Sequence, residues 1–241
     1  MNTIWLIARR ELHGFLLSPL GYLVVAAVLV LHGLWFQTIV MTGEQRSSEV
    51  LEGFFFHSTG FVAVVAVLIS MRLFAEERQT GTLLLLETSP ATEWEVVLGK
   101  FVGATTFLLL YLALTLSMPL LVAVNGTVTP GHLFAGYAGL ALLGAVVVSI
   151  GTLTSSLVRS QLLAAVLGGV ITVALFAAWM IARKVEGDLG AVVGYLDLMD
   201  KHYRSFSRGV IKASTVVYYL SLTYLALLLT TSVWSARRWR A

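Results

Sequence analysis

Apolar residues fall along this chain in long unbroken runs, and the charged residues are confined to the stretches between them. Six uncharged runs, 20–42, 53–71, 101–124, 133–157, 162–182 and 213–234, each approach or exceed the length of about 20 residues that a helix needs to cross a bilayer core. Unpaired backbone amides are too costly in hydrocarbon, so such runs predict helices that satisfy their own hydrogen bonds. The pattern predicts an all-α polytopic membrane protein with six transmembrane helices in one domain, 1–241, and six crossings place both termini on the same side. The second run is the shortest and opens on Phe54, Phe55, Phe56 and His57, so its outer boundary is the least defined.

Ahead of the first run the periodicity changes. Ile4, Trp5, Ala8, Leu12, Phe15 and Leu16 fall on one arc of a helix at 100° per residue, with Arg9, Arg10 and His13 on the opposite arc. Ser18-Pro19 ends that helix, because proline disfavours helical geometry in the residue before it. Residues 1–18 therefore predict an amphipathic elbow helix lying on the membrane surface, joined by a sharp turn to the first span.

Residues 72–100 are too charged to span and too apolar to be a loose linker. Gly81 breaks the segment, the leucines at 83–86 form an apolar patch, and Ser89-Pro90 ends its first part. Thr92, with Glu95 three residues on, has the spacing of a capping box that starts the next helix. That helix leads into the third span with Trp94 as interfacial anchor and Lys100 placed to snorkel to water. Two short surface helices result, suited to docking against another protein. In 183–212, the stretches 189–199 and 206–211 are apolar but too short to cross, which fits either a re-entrant pair of half-helices buried against protein or a surface loop.

Composition agrees. Of 241 residues 58% are hydrophobic and 12% charged, about half the charged share of a soluble domain, which leaves too little polar surface to face water. Net charge is +3, carried between the runs and not in a nucleic-acid patch. With the termini inside, the inner segments hold nine Lys and Arg and the outer ones seven, six of these in 183–212, so the positive-inside rule favours cytoplasmic termini by a modest margin. There is no cysteine, hence no disulfide, thiolate metal site or cysteine nucleophile. The first apolar stretch follows an amphipathic segment and exceeds a signal-peptide core in length, so no cleavable leader is expected.

Candidate chemistry is sparse. Glu76-Glu77 is the one adjacent carboxylate pair, and Gly81 stands where an EExxxR intramembrane protease would place arginine. The five histidines include no pair at metal-binding spacing, and there is no P-loop, so no metal or nucleotide site is expected. His32 lies within the first run, where a polar group must face protein or water; helix packing is its expected role. The spans otherwise lack charge, which argues against an ion-driven carrier, so active transport would draw on another polypeptide. Small residues recur at helical spacing in Gly99/Gly103, Ala135/Gly139, Ala164/Gly168 and Ala165/Gly169, as in tight helix bundles.

Three stretches, ARRELHGFLLSPLGYLV, MRLFAEERQTGTLLLLETSPATEWEVVLGKFVGA and YLDLMDKHYRSFSRGVI with the following VVYYLSL, resemble the permease subunits of type-2 ABC exporters, most closely the gliding-motility and nitrous-oxide-reductase-maturation type. The resemblance implies a bacterial inner-membrane permease with cytoplasmic termini that binds no cofactor itself. A separate cytoplasmic ABC ATPase would carry ATP and Mg, a second permease copy or paralogue would complete a dimer, and an auxiliary outer-face protein is a further partner. It implies that Glu76, Glu77, Arg78, Gly81, Thr82, Leu86, Ser89 and Pro90 form the ATPase-coupling region, and that Ser156 and Arg159 in 155–161 make a second cytoplasmic contact. It also implies that Leu196, His202, Phe206, Arg208 and Gly209 belong to a re-entrant pair capping the exit. LMDKHY is more charged than the equivalent family stretch. The competing expectation is a membrane anchor or scaffold that holds an ATPase or outer-face protein and transports nothing.

Overall fold

A computed structural model describes residues 3–40, 46–82, 90–184 and 187–238, all helical or connecting, with no strand among them. Helix α1 (Thr3–Leu16) ends at Ser18, which is extended (φ −84°, ψ 123°) as a residue before proline must be, and Pro19 opens α2 (Pro19–Trp35). Helix α2 continues into a π-helical turn, Phe36–Val40. Helix α3 (Ser47–Ser70) passes through Met71 into α4 (Arg72–Thr80), since Met71 keeps helical angles and donates to the Val67 carbonyl at 3.0 Å. At 1.5 Å per residue the α3–α4 rod is about 50 Å long, well beyond an approximately 30 Å hydrocarbon core, so its ends project from the lipid.

Helix α5 (Glu93–Thr115) starts on the expected capping box: Thr92 Oγ1 accepts from the Glu95 amide, and the Thr92 amide donates to Glu95 Oε2 at 2.9 Å. Its third run continues as α6 (Ser117–Asn125) after a break at Leu116, where Pro119 removes the amide that would have donated to Thr115. Helix α7 (Pro130–Leu157) is the centre of the bundle, with α3 and α12 (Ala213–Arg238) packed along it and α5 and α8 (Gln161–Phe176) alongside.

Among the described residues five helices are each long and apolar enough to cross a membrane, and the fifth apolar run, 162–182, is covered by two shorter helices instead of one long one. It divides at Ala177 (φ −91°, ψ 1°) into α8 and the short α9 (Ala178–Ala182). Tertiary packing accounts for the difference: α9 turns to pack against α10 (Asp188–Tyr195), with Gly187 at φ +85° between them and Ala182 against Gly194. The second apolar stretch of the outer segment also departs from expectation. Leu198–Tyr203 forms a π-helical turn and α11 (Arg204–Ser207) follows, but Gly209 at φ +79° ends the helix, so 206–211 is not a half-helix. The charged LMDKHY stretch is what folds inward, because Asp197 accepts from the Met199 and Lys201 amides and neutralises the turn's own donors.

Candidate functional site

The polar residues gather at the end of the bundle to which α4 projects. Arg72 pairs with Glu76 one turn on (2.9 Å), lies 4.7 Å over the Phe15 ring and reaches Ser18 at the α1–α2 break. Glu77 points the other way. Its Oε1 is 2.8 Å from Lys100 Nζ, which also lies 2.6 Å from Glu11 Oε1. Lys100 is 1% exposed, so it does not snorkel to water as its place at the head of a span suggested. Two carboxylates offset the cost of burying its charge, and without them the ammonium would have to reach solvent or lose its proton. Burial pushes the Glu77 carboxyl above its ordinary range, against the opposing pull of Lys100. Its second oxygen is shielded from solvent and has no hydrogen-bond partner among the described residues.

Close approach of α1 to α5 makes this triad possible. A Cβ on Gly99 would come within 2.6 Å of Ile7, and one on Gly103 within 2.7 Å of Glu11 and 2.8 Å of the Ala8 carbonyl. The Gly99/Gly103 pair therefore seats α1 against α5. Part of the apolar arc of α1 is thereby turned to protein. Ala8 and Phe15 are buried against protein, while Trp5 is exposed and Arg9, Arg10 and His13 stay outward.

On its opposite side α4 is fastened to the end of α7. Ser155 Oγ accepts from the Phe74 and Ala75 amides, each at 3.0 Å, and donates to the Met71 carbonyl at 2.8 Å. One hydroxyl thus satisfies backbone groups that the α3–α4 junction leaves open. Arg78 donates to the carbonyls of Ser156 and Val158, the latter at 2.7 Å, where the negative end of the α7 dipole favours a cation. Gln79 and Gln161 meet at 3.3 Å, and Trp234 of α12 packs on Phe74 at 5.2 Å. Helix α4 is thereby tied to α1, α5, α7, α8 and α12.

The residues expected to act in coupling thus divide. Glu77 and Arg78 make internal contacts, Glu76 is half-buried, and Pro90 is exposed. Gly81 closes α4 in the left-handed conformation (φ +73°) that favours glycine, and Thr82 bonds to Thr80 at 2.9 Å. Leu86 and Ser89 lie outside the described residues. Ser156 is joined to Arg78, whereas Arg159 is exposed in the α7–α8 turn. The segments 72–82 and 155–161, read separately in sequence, form one cluster. Glu11 and Ser18 are not expected from sequence to act with α4, because no local spacing ties either to it, whereas Ser155 heads the segment expected to make the second contact.

At the far end, the outer-segment residues are built into the bundle. Phe206 is buried against Gly139, where a Cβ would come within 2.6 Å of it. His202 is buried, stacks on Tyr218 at 3.8 Å between ring centroids, and bonds through Nε2 to the Tyr195 carbonyl at 3.0 Å. Burial pushes its imidazole below the ordinary range, with the nearby Lys201 charge acting the same way and the Tyr195 carbonyl and Asp197 opposing. The Leu196 carbonyl accepts from Tyr218, Arg208 Nε pairs with Glu52 of α3 at 2.8 Å, and Gly209 lies against His132, whose Nε2 contacts the Ser207 carbonyl at 2.6 Å. Between the two ends, His32 joins three helices through Ser58 (3.0 Å) and Tyr111 (3.3 Å), the packing role its position predicts. No group of three or more potential metal-ligating side chains occurs among the described residues.

No curated protein shows significant sequence similarity to this chain. The model of the ABC-2 family transporter protein matches residues 33–189, well over half the chain, from the last turn of α2 through α4 and the α7–α8 turn to the start of α10. With that match and its set of long apolar helices, the chain belongs to the ABC-2 transporter family, as a multi-pass transmembrane permease component.

Proposed function

We propose that the chain is the membrane half of an exporter driven by a separate cytoplasmic ABC ATPase, and that the partner's motion enters through 72–100. Membership of the ABC-2 family implies association with such an ATPase. In this reading ATP and Mg reside on the partner, and a second copy or a paralogue completes the permease pair. Both termini face the cytoplasm of a bacterial inner membrane. Kinship to the gliding-motility and nitrous-oxide-reductase-maturation permeases, and an auxiliary outer-face protein, belong to the same proposal.

The supporting observation is the fastening of α4 on both sides, to Lys100 through Glu77 and to the end of α7 through Arg78 and Ser155. A push on the segment that follows Gly81 has a packed path into α1, α5 and α7. Glu77 and Arg78 act as transmitting residues inside the permease, while the ATPase is contacted through 82–90. ATP-driven closure of the partner then shifts the permease pair toward an outward-open arrangement, provided that the dock makes different contacts in the two states.

The test is reconstitution with the ATPase. The intact pair should hydrolyse ATP and move cargo, and Arg78→Ala should keep the complex and its hydrolysis but lose cargo movement. Hydrolysis by the unaltered pair with no vectorial movement would make the chain an anchor. Failure of any ATPase to associate would refute the reading. The lack of cysteine allows topology to be checked directly, since Ser89→Cys should label from the cytoplasm and Lys212→Cys from outside; the reverse pattern would overturn the orientation.

A further inference from the structure

One face of the bundle carries an apolar groove that runs into a charged cleft. The groove lies between α3 and α8, has a volume of about 510 Å³, and is lined by residues from Gly60 to Leu68 on one wall and Ala165 to Phe176 on the other. Measured along these helices it extends about 12–17 Å, close to half of a roughly 30 Å hydrocarbon core. Thr172 supplies the sole hydroxyl side chain of its lining. One turn beyond Gly60 on α3, and three residues beyond Phe176 on the other wall, the track opens into a cleft of about 270 Å³ lined by Phe56, Trp179, Arg183, Met199, Asp200 and Arg204. The bond from the Ala177 amide to the Val173 carbonyl (2.8 Å) carries the second wall across the α8–α9 break.

The cleft has an excess of cation over anion. Arg204 pairs with Asp200 at 3.0 Å, and the Arg183 guanidinium carbon lies over the Trp179 ring, 4.7 Å from its centroid, with no carboxylate partner among the described residues. A guanidinium held on an indole face keeps its donors pointed outward in a planar fork, the geometry that matches a phosphate. Tryptophan and arginine together are the side chains that anchor at a lipid–water boundary.

We propose that this track holds one anionic phospholipid, with an acyl chain in the α3–α8 groove and its phosphate between Arg183 and Arg204. Length, polarity and charge each match: the groove accommodates the chain of one leaflet, and the cleft receives the headgroup. The proposal requires that the chain be embedded in a membrane and is independent of any ATPase.

The test is lipid titration of the purified, delipidated full chain in detergent by native mass spectrometry. The probes are phosphatidylglycerol, phosphatidylcholine with the same acyl chains, and inorganic phosphate. Phosphatidylglycerol should bind in preference to phosphatidylcholine, and Arg183→Gln should weaken it by about fivefold while leaving phosphatidylcholine unchanged. Arg183→Gln strands no carboxylate among the described residues, so loss of fold does not confuse the result. Gly169→Leu, whose Cβ enters open space, should fill the groove and weaken both lipids with the arginines intact. Equal binding of the two lipids, or an unchanged preference in Arg183→Gln, would overturn the proposal. So would inorganic phosphate binding as tightly as the lipid, which would mark a free-anion site. A Gly169→Leu variant that keeps its lipid but changes oligomeric state would make the groove a contact between copies.

Discussion

Replacing Lys100 by methionine isolates the physics of the α1–α4–α5 junction. Lys100 is 1% exposed and stands between Glu11 and Glu77, whose side chains are 18% and 12% exposed. Methionine fills nearly the same volume, so packing is kept and the loss is electrostatic. It leaves two partly buried carboxylates 2.6 and 2.8 Å from where their counter-charge stood. Removing one member of such a buried set costs about 3–5 kcal/mol, most of it the penalty of stranding the remaining charge. For a chain of this size that is a fall in Tm on the order of 6–20 °C. The assay is thermal unfolding of the purified chain in detergent, comparing wild type, Lys100→Met and the triple variant Glu11→Gln/Glu77→Gln/Lys100→Met. The triple variant should recover most of the loss, because neutral amides need no counter-ion. Acidity supplies an independent check. Burial raises the Glu77 pKa, so its contribution to stability is full at acid pH and is lost as pH rises through the folded value. Removal of Lys100 takes away the opposing pull and raises that value further. The gap between Lys100→Met and wild type should therefore widen from acid to neutral pH. A triple variant as unstable as the single one, or a gap independent of pH, would refute the electrostatic account.

Two further outcomes follow from the contacts. Ser155→Ala should cost about 2 kcal/mol, since the Phe74 and Ala75 amides and the Met71 carbonyl all lose the same partner; denaturant unfolding in mixed micelles measures it, and a loss below a few tenths would show that water replaces the hydroxyl. At the outer end, the depressed His202 pKa means stability that is present above the ordinary histidine range and is lost as pH falls through the folded value. The protection of residues 195–209 from hydrogen exchange, corrected for the intrinsic rate at each pH, should fall on acidification, and His202→Gln should flatten that response; an equal fall in the variant would assign it to another group.

The elements legible in the sequence are those fixed by neighbours along the chain. Uncharged runs dictate helices, because lipid offers the backbone no other partner. Ser18-Pro19 dictates a break, since the proline ring excludes helical geometry before it. Thr92 and Glu95 dictate a helix start because their side chains reach each other's amides across one turn. The spacing of Gly99 and Gly103 announced a close contact, though not that α1 would fill it. Tertiary structure decided what depends on partners distant in sequence. Lys100 reads as a snorkelling residue until Glu11, 89 positions away, is placed beside it. Arg78 reads only as part of the coupling segment, and the fold alone shows α7 presenting its terminal carbonyls to it. The run 162–182 reads as one span until α10 draws its end aside at Ala177. In each case the local pattern fixes the backbone state, whereas the burial of a charge or the bending of a helix depends on groups that meet only after the bundle has closed.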